Sequence, residues 1–307
     1  GAQSGNVARN AVLASSLPES VPGTTIDRQC GSSQQALHFA TQAVMSGTQD
    51  IVIAGGVEVM SIVPIGASVT DGMNAGHGFP FNAEGIEKRY PGVFFSQFTG
   101  AELVANKWNL SREDLDQFAF ESHLKAAAAA SAGFFNKEIL PLQGRNDNGN
   151  DSMIIADEGI RFNASIEALS GLKTVIEGGV ITAGNASQIT DGASAIMVCN
   201  DAGLKKLKAD PRAKIKTITV VGDDPVFMLT GPIPASKLAL KKADLSIDDI
   251  DIYEVNEAFA PVPLAWAIEL GADKSKLNVN GGAIALGHPL GSTGTKLMTT
   301  MLHELER

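Results

Sequence analysis

Two segments of the sequence each place a strand, a turn of small residues and a helix in succession, and this repetition constrains the fold more than any other feature. The first segment covers residues 24–47 and the second covers residues 277–302. Between them, residues 51–54 form an apolar run without a polar position, which is typical of a strand buried on both faces of a sheet. Alternation of such strands with helices predicts an α/β protein with a parallel or mixed sheet and two halves of similar construction.

The length of the chain and its local composition suggest how it is divided into domains. A chain of 307 residues is long for one core, since domains usually hold about 100–200 residues. Residues 61–189 are rich in Gly, Asn, Pro and Phe around one clear helix at 111–132, which begins with a capping pattern. We predict that 61–189 is an inserted loop subdomain. Residues 1–60 and 190–205 would form the first half, and residues 206–307 the second.

The remaining elements follow from apolar periodicity. Strands are predicted at 24–28, 193–198, 214–221, 251–255 and 277–280, and helices at 31–47, 235–243, 260–270 and 293–302. No apolar run approaches the roughly 20 residues that span a bilayer, so we predict no membrane span.

Charge and cysteine content exclude several classes of function. The net charge of −10 argues against nucleic acid or an anionic membrane as a partner. Two cysteines, Cys30 and Cys199, provide no disulfide framework, which fits a reducing compartment. We expect a cytoplasmic protein, with an organellar matrix as the alternative. The five histidines lack metal-ligand spacing, so no metal site is predicted.

Cys30 lies where the first predicted strand gives way to a helix. Backbone N–H groups and the positive dipole end of a helix stabilise an anion, and this lowers a thiol pKa from about 8.5 toward neutrality. Cys30 is therefore a candidate nucleophile. The alternative is a small buried hydrophobic residue, which is a common role for cysteine.

Two polar residues in the second half are candidate partners for Cys30. His288 lies in a glycine-rich loop and precedes Pro289, so it is not an ordinary histidine of a helix face or a strand core. Its imidazole could take the Cys30 proton. Asn256 directly follows a predicted strand and could orient a water or donate to an oxyanion. The alternatives are a loop histidine held by backbone hydrogen bonds and an asparagine that caps a helix.

Three motifs occur in the order and spacing found in thiolases: DRQCGSS at 27–33, NEAF at 256–259 and GGAIALGHP at 281–289. The chain resembles this family throughout. The resemblance implies a five-layer α/β/α/β/α core with two similar halves and an inserted loop subdomain. It also implies an acyltransferase that cleaves 3-ketoacyl-CoA with CoA to give acetyl-CoA and a shortened acyl-CoA, or that catalyses the reverse Claisen condensation.

The resemblance also assigns roles to individual residues. Cys30 would attack the 3-keto carbon and carry the acyl group, and His288 would activate Cys30. His288 and an Asn256-bound water would form one oxyanion hole, and the Cys30 backbone N–H would belong to the other. Positions that match CoA contacts in the family are Arg161 and Ser187, and positions that match the pocket lining are Met228 and Phe259.

For three of these positions the alternatives are a surface ion pair for Arg161 and plain core packing for Met228 and Phe259. Coenzyme A is implied as a substrate, and no further cofactor is implied. The partners implied are acyl-CoA, CoA and further copies of this chain, in a homodimer or a homotetramer.

Two departures from the family pattern define the alternatives. Thiolases end with a Cys-x-Gly-Gly segment that supplies the acid/base cysteine, whereas this sequence stops at Arg307. From the family pattern we also expect a few dozen residues, including the first strands of the first half, before Gly1. We expect a native protein with both ends; a non-catalytic acyl-CoA-binding fragment is the alternative.

Ser96 and Gln97 replace the His and Met of acetoacetyl-CoA thiolases, which favours a degradative enzyme over a biosynthetic one. A cysteine hydrolase would need sequence patterns around Cys30 that are not seen.

Overall fold

The computed structural model describes residues 5–145 and 148–307. The chain divides into two compact units, which we call the first and the second unit. The first unit comprises Gly1–Phe94, Thr190–Gly203 and Pro289–Thr295. The second unit comprises Phe95–Ile189, Leu204–His288 and Lys296–Arg307.

The described residues form helices and short strands. The helices are α1 Val7–Ala14, α2 Ser32–Met45, α3 Ala67–Asn74, α4 Glu84–Arg89, α5 Gln97–Lys107, α6 Arg112–Ser131, α7 Ile166–Ser170, α8 Asp201–Leu207, α9 Pro232–Ala243, α10 Pro261–Leu270, α11 Ala283–Leu286 and α12 Thr293–Leu305. The strands are β1 Ile51–Glu58, β2 Leu142–Arg145, β3 Asp151–Ile154 and β4 Gly192–Cys199. Short 3-10 turns lie at Gln29–Gly31, Pro80–Asn82, Phe134–Lys137, Ile247–Asp249 and Lys274–Lys276.

In the first unit, β1 pairs antiparallel with β4, from Ile51 opposite Cys199 to Glu58 opposite Gly192. Helix α2 packs against both strands. Successive side chains of a strand point to opposite faces, and here Ala54 is buried while Ile53 is 48% exposed. The predicted burial of this strand on both faces is therefore wrong within the described residues.

The prediction of a parallel or mixed sheet is also wrong for the described residues, where both sheets are two-stranded and antiparallel. An apolar run fixes the tendency to form a strand but not the direction of its neighbour. The strands predicted at 24–28 and 214–221 are not formed in the part of the chain that the structure describes. A strand needs hydrogen-bonded partners on its edges, and no described segment pairs with either of these two.

The second unit is built around α6, whose first turn is closed by a capping box. Ser111 Oγ accepts a hydrogen bond from the Asp114 backbone N–H at 3.1 Å, and the Asp114 carboxylate accepts from the Ser111 N–H at 2.8 Å. The predicted helix at 111–132 is thereby confirmed. Its buried alanines, including Ala126 and Ala129, contact the segment that carries α11.

Helices α5, α6 and α10 enclose the main core of the second unit. Its buried members are Ala101, Ala105, Leu115, Ala119, Leu169, Ile181, Phe259, Ala260, Val262, Leu264 and Ile284. The strands predicted at 251–255 and 277–280 are reduced to isolated bridges, such as the parallel bridge between Tyr253 and Leu277. Helices α2, α9, α10 and α12 match predicted helices.

The chain has the α/β character that was predicted. The five-layer arrangement and the division at 1–60, 61–189, 190–205 and 206–307 stay predictions. No helix within the described ranges is both long enough and apolar enough to cross a membrane.

Candidate active site

Cys30 is the middle residue of the 3-10 turn Gln29–Gly31, and this turn directly precedes Ser32, the first residue of α2. It is half-buried and carries a thiol rather than a disulfide. The first turn of α2 contains no acidic residue, and in the described structure no side chain caps it. A helix end of this kind favours a negative charge, and a lowered thiol pKa at Cys30 stays a prediction.

A strained residue precedes Cys30. Gln29 has a φ of 50°, in the left-handed region, which costs an ordinary residue about 1–2 kcal/mol. Hydrogen bonds hold the turn in place: the Gln29 N–H donates to Asp27 Oδ1 at 2.9 Å, and the Ser32 hydroxyl donates to the Gln29 carbonyl at 2.7 Å. Cys30 therefore lies in a hydrogen-bonded turn rather than at the end of a strand.

His288 is buried in the second unit, with 3% of its surface exposed. Its Nε2 lies 3.3 Å from Asn256 Nδ2, and its backbone N–H donates to the Gln188 carbonyl at 3.4 Å. Burial, assisted by the positive charge of Lys296, lowers the pKa of His288 to about 4. The imidazole is consequently neutral near pH 7, and a neutral imidazole can accept a proton.

Asn256 is a predicted site residue that the structure places next to His288. With the amide oriented so that Nδ2 faces the imidazole, Nδ2 donates and His288 Nε2 accepts. Asn256 Oδ1 is buried and makes no hydrogen bond within the described structure. A buried amide oxygen of this kind can accept from a bound water or a substrate group.

A residue that the sequence analysis missed, Glu257, connects the segment of Asn256 to the loop of His288. The Glu257 carboxylate is buried and accepts three hydrogen bonds, from Ser122 Oγ at 2.7 Å, Asn278 Nδ2 at 2.8 Å and the Ile284 backbone N–H at 3.1 Å. Burial raises the pKa of Glu257, whereas the three donors oppose that rise because they stabilise the ionised form.

Gly282 allows this contact between the loop and Glu257. A Cβ at Gly282 would overlap the Glu257 carboxyl group. The Gly282 backbone N–H donates to Ser122 Oγ at 3.1 Å, and Ser122 in turn donates to Glu257. The start of the glycine-rich loop is thus fixed between α6 and the segment before α10.

Asn278 explains why residues 251–255 and 277–280 do not form a longer ladder. Its side chain accepts from the Val255 N–H at 2.9 Å and donates to the Val255 carbonyl at 2.8 Å, so it takes the place of a neighbouring strand. Its φ of 44° turns the chain out of the extended conformation. The turn brings the glycine-rich loop back toward Glu257.

Arg161 has an exposed side chain, and its backbone is held by His123 of α6. The Arg161 N–H donates to His123 Nδ1 at 3.1 Å. Burial, assisted by the Arg161 charge, lowers the pKa of His123 to about 4, so this histidine is neutral near pH 7 and can accept the bond.

The remaining predicted contact positions also lie in the second unit. Ser187 is half-buried, and its N–H donates to the Ala258 carbonyl at 3.0 Å. Met228 is half-buried with a φ of 59°. Phe259 is 5% exposed and packs edge-to-face on Phe98 with ring centroids 5.5 Å apart, so it belongs to the core. The CoA and pocket roles of these residues stay predictions.

Asn256 and His288 thus lie together in the second unit, while Cys30 belongs to the first unit. The pairing of Cys30 with His288 stays a prediction. Across the described ranges, no three His, Cys, Asp or Glu side chains form a group that could hold a metal ion.

Comparison with known proteins extends these observations. Residues 1–202 match the family model for the thiolase N-terminal domain, and residues 209–307 match the model for the thiolase C-terminal domain. The chain is 52% identical to a steroid 3-ketoacyl-CoA thiolase of Mycobacterium tuberculosis, over 100% of this chain and 74% of the relative. It is 42% identical to 3-ketoacyl-CoA thiolases of Aliivibrio fischeri and Salmonella typhimurium, over 98% of this chain and 76% of each relative.

Proposed function

Because this chain belongs to the thiolase family, we propose that it transfers an acyl group from a 3-ketoacyl-CoA to CoA, releasing acetyl-CoA. The observation that carries this proposal is the pair of half-buried Asn256 and buried His288, which lies within the matched C-terminal family domain. Relatives that cover nearly all of this chain are named 3-ketoacyl-CoA thiolases, which supports the same reaction. Coenzyme A acts as substrate, and no further cofactor is invoked.

In the first half of the reaction, His288 takes the proton of Cys30. The thiolate attacks the 3-keto carbon, and the bond between C2 and C3 breaks. The electron pair of that bond leaves as the acetyl-CoA carbanion, which takes up one proton, and the acyl group stays on Cys30 as a thioester. The family assigns that proton donor to a cysteine of its Cys-x-Gly-Gly segment, which is not among residues 1–307.

In the second half, the CoA thiol gives its proton to the group that protonated the carbanion, and its thiolate attacks the Cys30 thioester. The Cys30 sulfur leaves as a thiolate and takes back the proton that His288 holds. Donors at the developing oxyanion would stabilise each tetrahedral intermediate. A water bound to Asn256 Oδ1, together with His288, fits one such site, since that amide oxygen is buried and makes no hydrogen bond within the described residues. The sum of the two halves is 3-ketoacyl-CoA plus CoA giving acetyl-CoA plus a shortened acyl-CoA.

Several finer parts of the proposal rest on family membership. They are the five-layer α/β/α/β/α core, CoA contacts by Arg161 and Ser187, pocket positions Met228 and Phe259, a homodimer or homotetramer, and a cytoplasmic location. Size-exclusion chromatography with light scattering tests the assembly, and a monomer at micromolar concentration would contradict it.

A bulky, ring-bearing acyl group is a second candidate for the substrate. The relative named for steroid 3-ketoacyl-CoA is 52% identical to this chain, against 42% for the two relatives with the general name. Ser96, which directly precedes α5, and Gln97, the first residue of α5, also differ from the residues of acetoacetyl-CoA thiolases.

The test compares kcat/KM of the full-length gene product for three substrates: acetoacetyl-CoA, a straight-chain 3-ketoacyl-CoA of eight or more carbons, and a 3-ketoacyl-CoA with a steroid ring system. The degradative proposal predicts a preference for one of the two larger substrates. A strong preference for acetoacetyl-CoA would support the biosynthetic alternative. Absence of thiolysis with all three, together with measurable acyl-CoA binding, would support a binding protein.

A further inference from the structure

The last two residues before His288 are held by a lysine of α12. Lys296 Nζ donates to the Leu286 carbonyl at 3.0 Å and to the Gly287 carbonyl at 3.2 Å. Gly287 has a φ of 81°, in the left-handed region that glycine tolerates best. The hydrogen bonds of Lys296 therefore fix the most permissive backbone position beside the imidazole.

Other contacts hold the earlier part of the loop. Gln188 Nε2 donates to the Ile284 carbonyl at 2.8 Å, and the Ile284 N–H donates to Glu257. Backbone hydrogen bonds continue past this point, because the N–H groups of Leu286, Gly287 and His288 donate to the carbonyls of Gly282, Ala283 and Gln188. Lys296 adds side-chain hydrogen bonds to the carbonyls of Leu286 and Gly287, the two residues directly before His288.

Lys296 also contributes charge, because its ammonium is the charged group that acts on His288. Two carboxyl groups face Lys296 from other elements: Glu138, which follows the 3-10 turn Phe134–Lys137, and Glu254, which precedes Asn256. Burial raises the pKa of Glu138 to about 7 and raises that of Glu254 well above its ordinary value. A raised pKa disfavours the ionised form of both carboxyls, and this weakens their compensation of the Lys296 charge.

We propose that Lys296 is a positioning residue for His288, which fixes the backbone before the imidazole through two carbonyl hydrogen bonds and places a positive charge near it. This inference rests on the proposed thiolase function, in which His288 is the base for Cys30. Loss of the charge would let His288 become protonated at higher pH, where it could no longer take the Cys30 proton.

The experiment compares Lys296→Met, Lys296→Arg and Lys125→Met in the full-length gene product. Lys125 is a matched control, since its Nζ also donates to a backbone carbonyl, that of Leu277, at 2.9 Å. The readout is the pH profile of kcat/KM, whose acid limb reports the ionisation of the free enzyme. Lys296→Met should move the acid limb upward by up to about one pH unit, because burial, which the substitution leaves in place, is the larger cause of the low pKa. Lys296→Arg and Lys125→Met should leave the limb in place.

An acid limb unchanged in a folded Lys296→Met enzyme would overturn the inference. So would a Lys296→Arg enzyme whose limb moves as far as that of Lys296→Met. If Lys296→Met does not fold, Lys296→Gln, which keeps a donor without the charge, must show the same upward shift.

Titration of His288 by NMR with labelled histidine does not depend on turnover. It separates failure of this inference from failure of the proposed function. A wild-type protein without thiolysis would count against the function, whereas an unchanged His288 titration in Lys296→Met would count against Lys296.

Discussion

Substitution of His123 by Gln should reverse the order of stability between wild type and variant as the pH falls. His123 is 5% exposed and accepts the Arg161 N–H at Nδ1. Burial, assisted by the Arg161 charge, lowers its pKa to about 4 from an ordinary value of 6.5. As the pH falls, the imidazole binds a proton in the unfolded chain at a higher pH than in the folded protein. The contribution of neutral His123 to the free energy of unfolding is therefore complete above about pH 6.5 and is lost as the pH falls toward 4.

The magnitude follows from that interval. One pKa unit corresponds to about 1.4 kcal/mol, so at pH 5 the wild type loses about 2 kcal/mol through His123 relative to pH 7.5. The glutamine of the variant would not titrate, but it would weaken the bond to Arg161, which costs about 1 kcal/mol at every pH. The variant should therefore be about 1 kcal/mol less stable at pH 7.5 and about 1 kcal/mol more stable at pH 5.

Urea denaturation of both proteins at pH 7.5 and pH 5 measures this reversal as a difference in midpoints. His77→Gln is the control, because His77 is exposed, and it should shift neither midpoint relative to wild type. A stability difference between wild type and His123→Gln that is the same at both pH values would refute the assignment of a buried, neutral His123.

Two further predictions concern the site itself. Glu257→Gln should lower the free energy of unfolding by about 2–4 kcal/mol, because an amide cannot accept from all three donors. The value of kcat should fall about tenfold or more as the His288 loop shifts. Unchanged urea midpoints and an unchanged kcat would contradict this prediction. Cys30→Ser should abolish alkylation by iodoacetamide at neutral pH, and His288→Ala should slow it, as followed by peptide mass spectrometry; faster alkylation of Cys199 in the wild type would show that Cys30 is not the activated thiol.

The helices were predictable because their signals are local. The capping box at Ser111 and the apolar periodicity of α2 lie within the helices that they specify. The predictions of strands at 24–28 and 214–221 were wrong for the described residues, because strand formation depends on a partner elsewhere in the chain that local sequence does not reveal. The antiparallel direction of β1 and β4 has the same cause, since an apolar run carries no information on direction.

The site was predictable only in part. Asn256 and His288 were found from their motifs, and the structure places them 3.3 Å apart. Glu257 was missed because its partner Ser122 is 135 residues away in the sequence. One signal could have revealed Glu257. It occupies the same alternating positions as Tyr253, Val255 and Phe259, which are buried. A carboxylate at a buried position needs hydrogen-bond donors inside the protein.

The central claim is that Cys30 carries the acyl group, and trapping of the acyl-enzyme tests it most directly. The full-length gene product is mixed with a 3-ketoacyl-CoA without free CoA, quenched in acid and digested for peptide mass spectrometry. The proposed function predicts a mass increase equal to the shortened acyl group on the peptide that contains Cys30, with one acetyl-CoA released per site and no adduct in Cys30→Ser. An adduct on Cys199 instead, or release of a free acid with Cys30 unmodified, would contradict the claim.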